Sequence, residues 1–166
     1  MKQKLIKIAS TCFFVFMIAV CFAETYSQKG GLFKIDVPNG WSWIEPPGEG
    51  RIRIENPERT NGISIQFKPT SILPEEKVKE LLKTNIQIMI KDMVEPKNGT
   101  VLGEKERRIG GANARQLDFL LSLRGEIGHV VYIAIINKDY AFTITFGGPK
   151  EEKLEMEKIV ESIQFQ

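Results

Sequence analysis

The chain has 166 residues, with 23 basic and 21 acidic side chains, two cysteines and one histidine. Both cysteines lie within the first 23 residues, so residues 24–166 contain no thiol and a single imidazole, that of His129. This composition excludes cysteine nucleophiles, thiolate metal sites, disulfide bridges and multi-histidine metal sites from residues 24–166. We predict neither a cofactor nor a metal site.

The first 23 residues have the layout of a secretory signal peptide. Three lysines precede an uncharged run of 16 residues, 8–23. This run is shorter than the roughly 20 residues that span a bilayer. Cys21-Phe22-Ala23 places small residues at the two recognition positions before a cleavage site. We predict cleavage after Ala23 and a periplasmic or secreted location. The alternatives are a retained membrane anchor and a lipoprotein acylated at Cys21.

Cleavage after Ala23 would make the remaining chain nearly neutral. It would remove three lysines and no acidic residue, leaving 20 basic and 21 acidic side chains. A protein of this charge has no overall attraction to nucleic acid or anionic lipid. We therefore predict no nucleic-acid partner, and membrane contact only through the signal segment if it is not cleaved. Residues 24–31 are polar and predict a flexible arm, and residues 32–166 have the length of one domain.

The first part of this domain predicts short strands joined by turns. Apolar and polar residues alternate over residues 33–37, the period of a half-buried strand, and Pro38-Asn39-Gly40 ends it. Two further strands are predicted at residues 51–55 and 63–68, with Asn61-Gly62 as the turn between them.

Two later segments have the spacing of amphipathic helices. The first begins at Pro74, with two glutamates in its first turn, where the helix dipole favours acidic side chains, and it stops at Pro96. The second begins at Pro149 near the end of the chain. Their apolar stripes consist of Val78, Leu81, Leu82, Ile86, Met89, Ile90 and Met93, and of Met156, Ile159, Val160 and Ile163.

Between the helices lie four more predicted strands with short connections, which favour an antiparallel meander. These strands cover residues 101–109, 112–123, 128–137 and 139–147. The third strand is apolar at both odd and even positions over residues 130–136, so we expect both of its faces to be covered. The predicted fold class is α+β, an antiparallel β-sheet flanked by two amphipathic α-helices.

The order of these elements resembles that of PsbP-like domains. The segment from Phe33 to Trp41, a strand that runs into Pro-x-Gly-Trp, resembles the start of such domains. The Gly110–Arg115 turn is similar to their mid-domain hairpin, and the strand from Tyr140 to Phe146 followed by a helix that ends at Ser162-Ile163-Gln164-Phe165 also fits. The resemblance covers about residues 31–166.

This resemblance implies an α/β/α sandwich and a binding or assembly-assisting role, as in the photosystem II extrinsic subunit and the DcrB-like bacterial envelope proteins. Its motifs concern packing and turns, so it implies no catalytic residues. We predict an exported, non-enzymatic binding or accessory module of the bacterial envelope, with an envelope protein as its partner.

A binding surface is predicted around the first long loop. Trp41 and Trp43 border a Pro- and Gly-rich loop and fall on one side of an extended chain. If exposed, they would anchor a protein or an apolar ligand; if buried, they would hold the first strand against the core. Glu49, Arg51 and Arg53 complete the predicted surface.

The alternatives are a carrier of a small apolar ligand between sheet and helix, and a hydrolase-like enzyme. A general base requires an acid that orients it, and the pair available here is His129 with Asp118. The hairpin between their strands is expected to bring them within a residue or two of register. The chain contains no G-x-S-x-G nucleophile motif, and a locally bonded histidine at a strand end is the simpler interpretation.

Overall fold

A computed structural model of the chain describes residues 23–123, 126–148 and 150–166. The predicted signal segment, apart from Ala23, lies outside these residues. The strands are β1 (Ala23–Ser27), β2 (Phe33–Pro38), β3 (Ser42–Ile44), β4 (Arg51–Glu55), β5 (Gly62–Pro69), β6 (Thr100–Ile109), β7 (Ala112–Leu123), β8 (Glu126–Asn137), β9 (Tyr140–Gly148) and β10 (Gln164–Phe165). The α-helices are α1 (Glu75–Met89) and α2 (Lys150–Glu161).

Seven strands form the main sheet, in the order β3-β4-β5-β9-β8-β7-β6. Every neighbouring pair is antiparallel. The four strands from β6 to β9 follow one another as a meander, because only two residues separate each strand from the next. The predicted antiparallel α+β class is therefore confirmed.

The main sheet is covered differently on its two faces. α1 packs over β7 and β8 and buries Val78, Leu82 and Ile86 there. On the other face, α2 packs against β9 and β2 and buries Met156, Ile159 and Val160. Strand β8 contributes buried side chains to both layers, which confirms the two-sided burial predicted from its apolar run.

A second, three-stranded sheet was not predicted. Its order is β1-β2-β10, so β2 pairs with strands near the two ends of the described chain rather than with the main sheet. β2 still buries Phe33, Ile35 and Val37, as its alternation predicts. The alternation identifies the buried face of a strand, whereas its partners depend on distant residues.

The prediction that residues 24–31 form a flexible arm is wrong, because part of this segment is a strand of the small sheet. Ala23–Ser27 is strand β1, which pairs with β2 from Ala23↔Pro38 to Ser27↔Lys34. β1 is largely exposed and lies at the edge of its sheet, so its polar sequence lacks the alternation by which strands are recognised.

The helix predicted to extend from Pro74 almost to Pro96 is α-helical only as far as Met89. A π-helical turn, Ile90–Val94, and a 3₁₀ turn, Glu95–Lys97, complete it. Asn98 then adopts a left-handed conformation with φ 50°, and the chain enters β6.

Candidate functional site

A surface cleft of about 290 Å³ lies where the chain after β1 meets the loop between β3 and β4. Pro46, Pro47 and Phe67 supply its apolar lining. Its polar lining comes from Gln28, Lys29, Glu45 and Arg51. Three separate segments thus contribute to one concave surface.

Gln28 and Glu45 hold the two loops of the cleft together. The buried Gln28 amide donates from Nε2 to Glu45 Oε1 at 2.9 Å, and its Oε1 accepts from the backbone nitrogens of Gly30 and Leu32. The backbone nitrogen of Lys29 lies 3.2 and 3.3 Å from the two Glu45 oxygens. These bonds order residues 28–32 and make that side of the cleft rigid.

Gly50 closes the other side and must be a glycine. Its φ is 56°, and a Cβ built on it would lie 2.6 Å from the carbonyl oxygen of Phe67. Its own carbonyl accepts from the backbone nitrogen of Phe67 at 2.8 Å. Only glycine combines a positive φ with so close a backbone approach.

Arg51 is the lining residue with an incomplete set of hydrogen bonds. Its Nη2 donates to Glu49 Oε2 at 2.8 Å. Its Nε is buried and has no hydrogen-bond partner, and it is the single such side-chain atom within the part of the chain that the structure describes. Leaving a buried donor unsatisfied costs about 1–3 kcal/mol, so an acceptor that gained access to this atom would be stabilising.

The main sheet separates the residues of the predicted binding surface. Trp43 pairs with Ile54 across β3 and β4, which places it on the core-facing side. Arg51 and Arg53 lie on the opposite side, because successive side chains of β4 alternate between faces. Sequence spacing alone did not reveal this division.

The two tryptophans pack against the core. Trp41 and Trp43 are both half-buried against the α2-side core cluster. Trp43 stacks on Tyr26 of β1, with ring centroids 5.4 Å apart and an interplanar angle of 15°, and it contacts Phe33 with centroids 6.4 Å apart. Trp43 therefore joins the two sheets.

Replacing Tyr26 with alanine is expected to expose Trp43 and to lower the free energy of unfolding by about 1–2 kcal/mol, through lost stacking and apolar contact. In a Trp41→Phe background Trp43 is the only tryptophan, since the chain has two. Its emission should shift to longer wavelength and iodide quenching should increase. Tyr26→Phe keeps the ring and serves as the control. Unchanged emission in Tyr26→Ala would show that the stack does not shield Trp43.

A second polar cluster lies on the α2 side of the sheet, around the predicted His129–Asp118 pair. Leu120 is the direct partner of His129, and Asp118 is two residues along β7, as predicted. His129 Nε2 lies 3.1 Å from Asp118 Oδ1. Lys153 of α2, which was not predicted, donates to the same Asp118 oxygen at 3.1 Å and lies 3.3 Å from His129 Nε2.

This cluster continues along the sheet to the other end of α2. The fully buried Gln116 donates from Nε2 to Asp118 Oδ2 at 2.6 Å and accepts from Arg107 Nη1 at 2.7 Å. Arg107 Nη2 in turn donates to Glu161 Oε1 at 2.9 Å. Ion pairs from Lys153 and Glu161 thus hold both ends of α2 against β6 and β7.

The surroundings of Asp118 favour its charged form. Burial raises the pKa of the Asp118 carboxyl, but hydrogen bonds from Gln116 and Lys153, the charge of Lys153 and the contact with His129 outweigh it. The pKa therefore lies below its ordinary value of 3.8. An ionised Asp118 shared between an ammonium and an imidazole is well suited to anchoring α2.

A further cavity, of about 250 Å³, lies between α1 and the β6–β7 end of the sheet. Its arginines already have partners: Arg115 pairs with Glu104 and Glu106, and Arg108 donates to the carbonyl of Gly111. This charged lining is unlike that of an apolar carrier pocket.

Two other properties of the described residues concern membranes and metals. None of the described helices is both long enough and apolar enough to cross a lipid bilayer. Over the same residues, no three His, Cys, Asp or Glu side chains are grouped so that they could hold a metal ion.

Comparison with known proteins identifies the fold. No protein-family model and no curated protein matches the sequence. The solution structure of cyanobacterial PsbP (CyanoP) from Synechocystis sp. PCC 6803 is similar, with a TM-score of 0.67, 13% identity, and coverage of 90% of this chain and 96% of that chain. The chain has a PsbP-like fold, as the resemblance predicted.

Two further structures are similar. LpqN, involved in cell envelope biogenesis of Mycobacterium tuberculosis, has a TM-score of 0.58, 14% identity, and coverage of 87% of this chain and 91% of that chain. A protein from Bacteroides thetaiotaomicron has a TM-score of 0.63 and 17% identity over 86% of this chain, which spans 48% of that protein. Identities this low establish the fold alone.

Proposed function

We propose that this protein is an exported, non-enzymatic accessory module of the bacterial cell envelope, and that it binds a protein partner at the cleft beside β3 and β4. The observation that carries the proposal is the cleft itself, a preformed concavity that contains a buried arginine donor with no partner. The PsbP-like fold and the envelope role of the structural neighbour LpqN are compatible with this function.

The chemistry of the lining supports binding rather than bond cleavage. Its charged groups are those of Lys29, Arg51 and Glu45. The Glu45 carboxylate is already engaged by the Gln28 side chain and the Lys29 backbone, so it is committed to holding the loops. The arginine and the lysine suit recognition of a negatively charged group, since both are cations that donate hydrogen bonds and accept none.

The rigidity of the cleft also favours recognition. Both of its sides are held by hydrogen bonds, at Gln28 and at Gly50. A preformed site loses less conformational entropy on binding than a mobile loop does. β3 is an edge strand of three residues that leads into the cleft loop, and edge strands offer backbone groups to a partner.

A photocrosslinking experiment in the host tests this function. A photoreactive amino acid at the exposed Pro47 is expected to capture one recurrent envelope protein, which mass spectrometry identifies. Arg51→Ala should reduce its capture about tenfold, in line with the loss of charge-assisted hydrogen bonds.

Two controls accompany this experiment. Arg53 was predicted to belong to the binding surface, but it does not line the cleft. Arg53→Ala removes this second arginine of β4, which is on the same face as Arg51 and also paired with a glutamate two residues away, and should leave capture unchanged. The photoreactive group at the exposed Lys158 on α2 should not capture the same protein. Capture that is equal from Pro47 and Lys158, or insensitive to Arg51→Ala, would contradict binding at the cleft.

A further inference from the structure

We propose that the cleft recognises a carboxylate of its partner, held by the side-on edge of Arg51, and that Glu49 occupies half of this edge until the partner arrives. This inference rests on the proposed function and names the chemical group that is bound. The carboxylate is that of the partner's chain terminus, on an apolar residue.

The geometry of Arg51 carries the proposal. The Nε and Nη2 hydrogens of a guanidinium point the same way, and a carboxylate binds both with two parallel hydrogen bonds. Glu49 contacts Nη2 at 2.8 Å, while Nε remains without an acceptor. Glu49 thus accepts from only one of the two donors on this edge of the guanidinium.

The exposure of Glu49 makes it replaceable. The side chains of Arg51 and Glu49 are 42% and 50% exposed, and ion pairs this open contribute about 0–1 kcal/mol. A ligand that displaces Glu49 and reaches both Nε and Nη2 gains a bond that Glu49 does not make. Exchange of Glu49 for a ligand carboxylate is therefore favourable.

The remaining lining favours a carboxylate over a phosphate. Glu45 brings a negative charge to the cleft, which repels a doubly charged phosphate more than a singly charged carboxylate. The Lys29 backbone nitrogen is already bonded to Glu45. The exposed Lys29 side chain has no ion pair among the described salt bridges, so it adds one cation at the rim. Once Glu49 has been displaced, the two cations and the remaining Glu45 suit a group with a single negative charge.

The apolar lining supplies the second part of the recognition. Pro46 and Pro47 line the cleft together with Arg51, whereas the Phe67 ring packs towards Phe33 and Phe142. The volume of about 290 Å³ lies at the small end of the range for ligand pockets. It accommodates one apolar side chain together with its neighbouring carboxylate, not a large cofactor.

A nuclear magnetic resonance titration of the ¹⁵N-labelled protein, purified as the host produces it, tests this chemistry. The probe is N-acetyl-phenylalanine, with N-acetyl-phenylalanine amide as its uncharged match and phenyl phosphate as the phosphate arm. We expect the carboxylate to shift the amide resonances of residues 45, 48–51 and 67 with millimolar affinity. The amide should bind at least about tenfold more weakly, because it lacks charge-assisted bonds.

Substitutions at the arginine edge sharpen the test. Arg51→Ala should weaken probe binding about tenfold or more. Arg51→Lys should weaken it nearly as much, since lysine lacks the two parallel donors of a guanidinium. Glu49→Gln should strengthen it severalfold by removing the competing acid. Arg53→Ala is the matched control and should change it less than about twofold. Each variant should retain the wild-type spectrum outside the cleft, which shows that it is folded.

The possible outcomes separate this inference from the proposed function. Equal binding of acid and amide, tighter binding of phenyl phosphate, or weaker binding by Glu49→Gln would overturn the carboxylate assignment. If Arg51 is required for partner capture but the probe does not bind there, protein binding stands and the carboxylate inference falls. If the probe binds as expected but no partner is captured from Pro47, the carboxylate site stands and the proposed protein partner falls.

Discussion

Replacing Phe33 with alanine is expected to lower the free energy of unfolding by about 3–5 kcal/mol, the range for a buried phenylalanine whose cavity the structure cannot fill. Phe33 is 1% exposed and begins β2. Its ring lies 5.9 Å from Phe142 of the main sheet and 6.4 Å from Phe165 of β10, centroid to centroid. It is also within 6.4 Å of Trp43, so one side chain contacts both sheets.

Urea denaturation followed by circular dichroism measures this effect. Phe165→Ala removes a ring from the same cluster at a half-buried position, and should cost clearly less. Lys34→Ala, the neighbour of Phe33, should change the free energy of unfolding by no more than about 0.5 kcal/mol. A loss below about 1 kcal/mol for Phe33→Ala would show that the small sheet is not held to the main sheet through this ring.

Replacing Asp118 with asparagine is expected to lower the free energy of unfolding at pH 7 by about 1–3 kcal/mol, because the variant leaves the half-buried Lys153 without its charged partner. This loss should depend on pH. The folded pKa of Asp118 lies below its ordinary value of 3.8, so the carboxylate stabilises the folded protein above that pH. The contribution disappears as the pH falls from about 4 through the folded pKa, where wild type and variant should converge.

Denaturation curves at pH 7, 5, 4 and 3 measure this convergence, with Asp92→Asn as the control. Asp92 is exposed in the π-helical turn that follows α1, and its replacement should change the free energy of unfolding little. A difference between wild type and Asp118→Asn that grows towards low pH would contradict the anchoring role.

The Asp118 variant also distinguishes anchoring from the hydrolase-like alternative. If His129 were a general base, Asp118→Asn would reduce turnover of a substrate with little loss of stability, because its main effect would be on the orientation of the imidazole. The contact between Lys153 and both members of the pair favours anchoring. Lys153 links α2 to the sheet through these bonds.

The cleft and the anchoring cluster perform different tasks in different parts of the fold. The cleft lies at the β3–β4 end, beside the small sheet, and contains an arginine with a free donor. The anchoring cluster lies beneath α2, and its members already have partners. Function is therefore expected to be sensitive to Arg51, whereas stability is expected to be sensitive to Asp118.

Local sequence patterns predicted the parts of this protein that depend on neighbouring residues. The meander from β6 to β9 follows from apolar alternation and short turns, which act within one hairpin at a time. The two-sided burial of β8 follows from its apolar run. The approach of His129 to Asp118 was predicted because the register of one hairpin determines it.

The sequence by itself determined which faces are buried, the antiparallel order of the last strands and the absence of thiol chemistry from residues 24–166. Only the tertiary structure decided the features that join distant segments. These are the pairing of β1 and β10 with β2, the separation of Trp43 from Arg51 by the sheet, the contact of Lys153 with Asp118, and the unsatisfied donor of Arg51. The physical reason is that periodicity records whether a side chain is buried, while its partners are chosen by the packing of the whole chain.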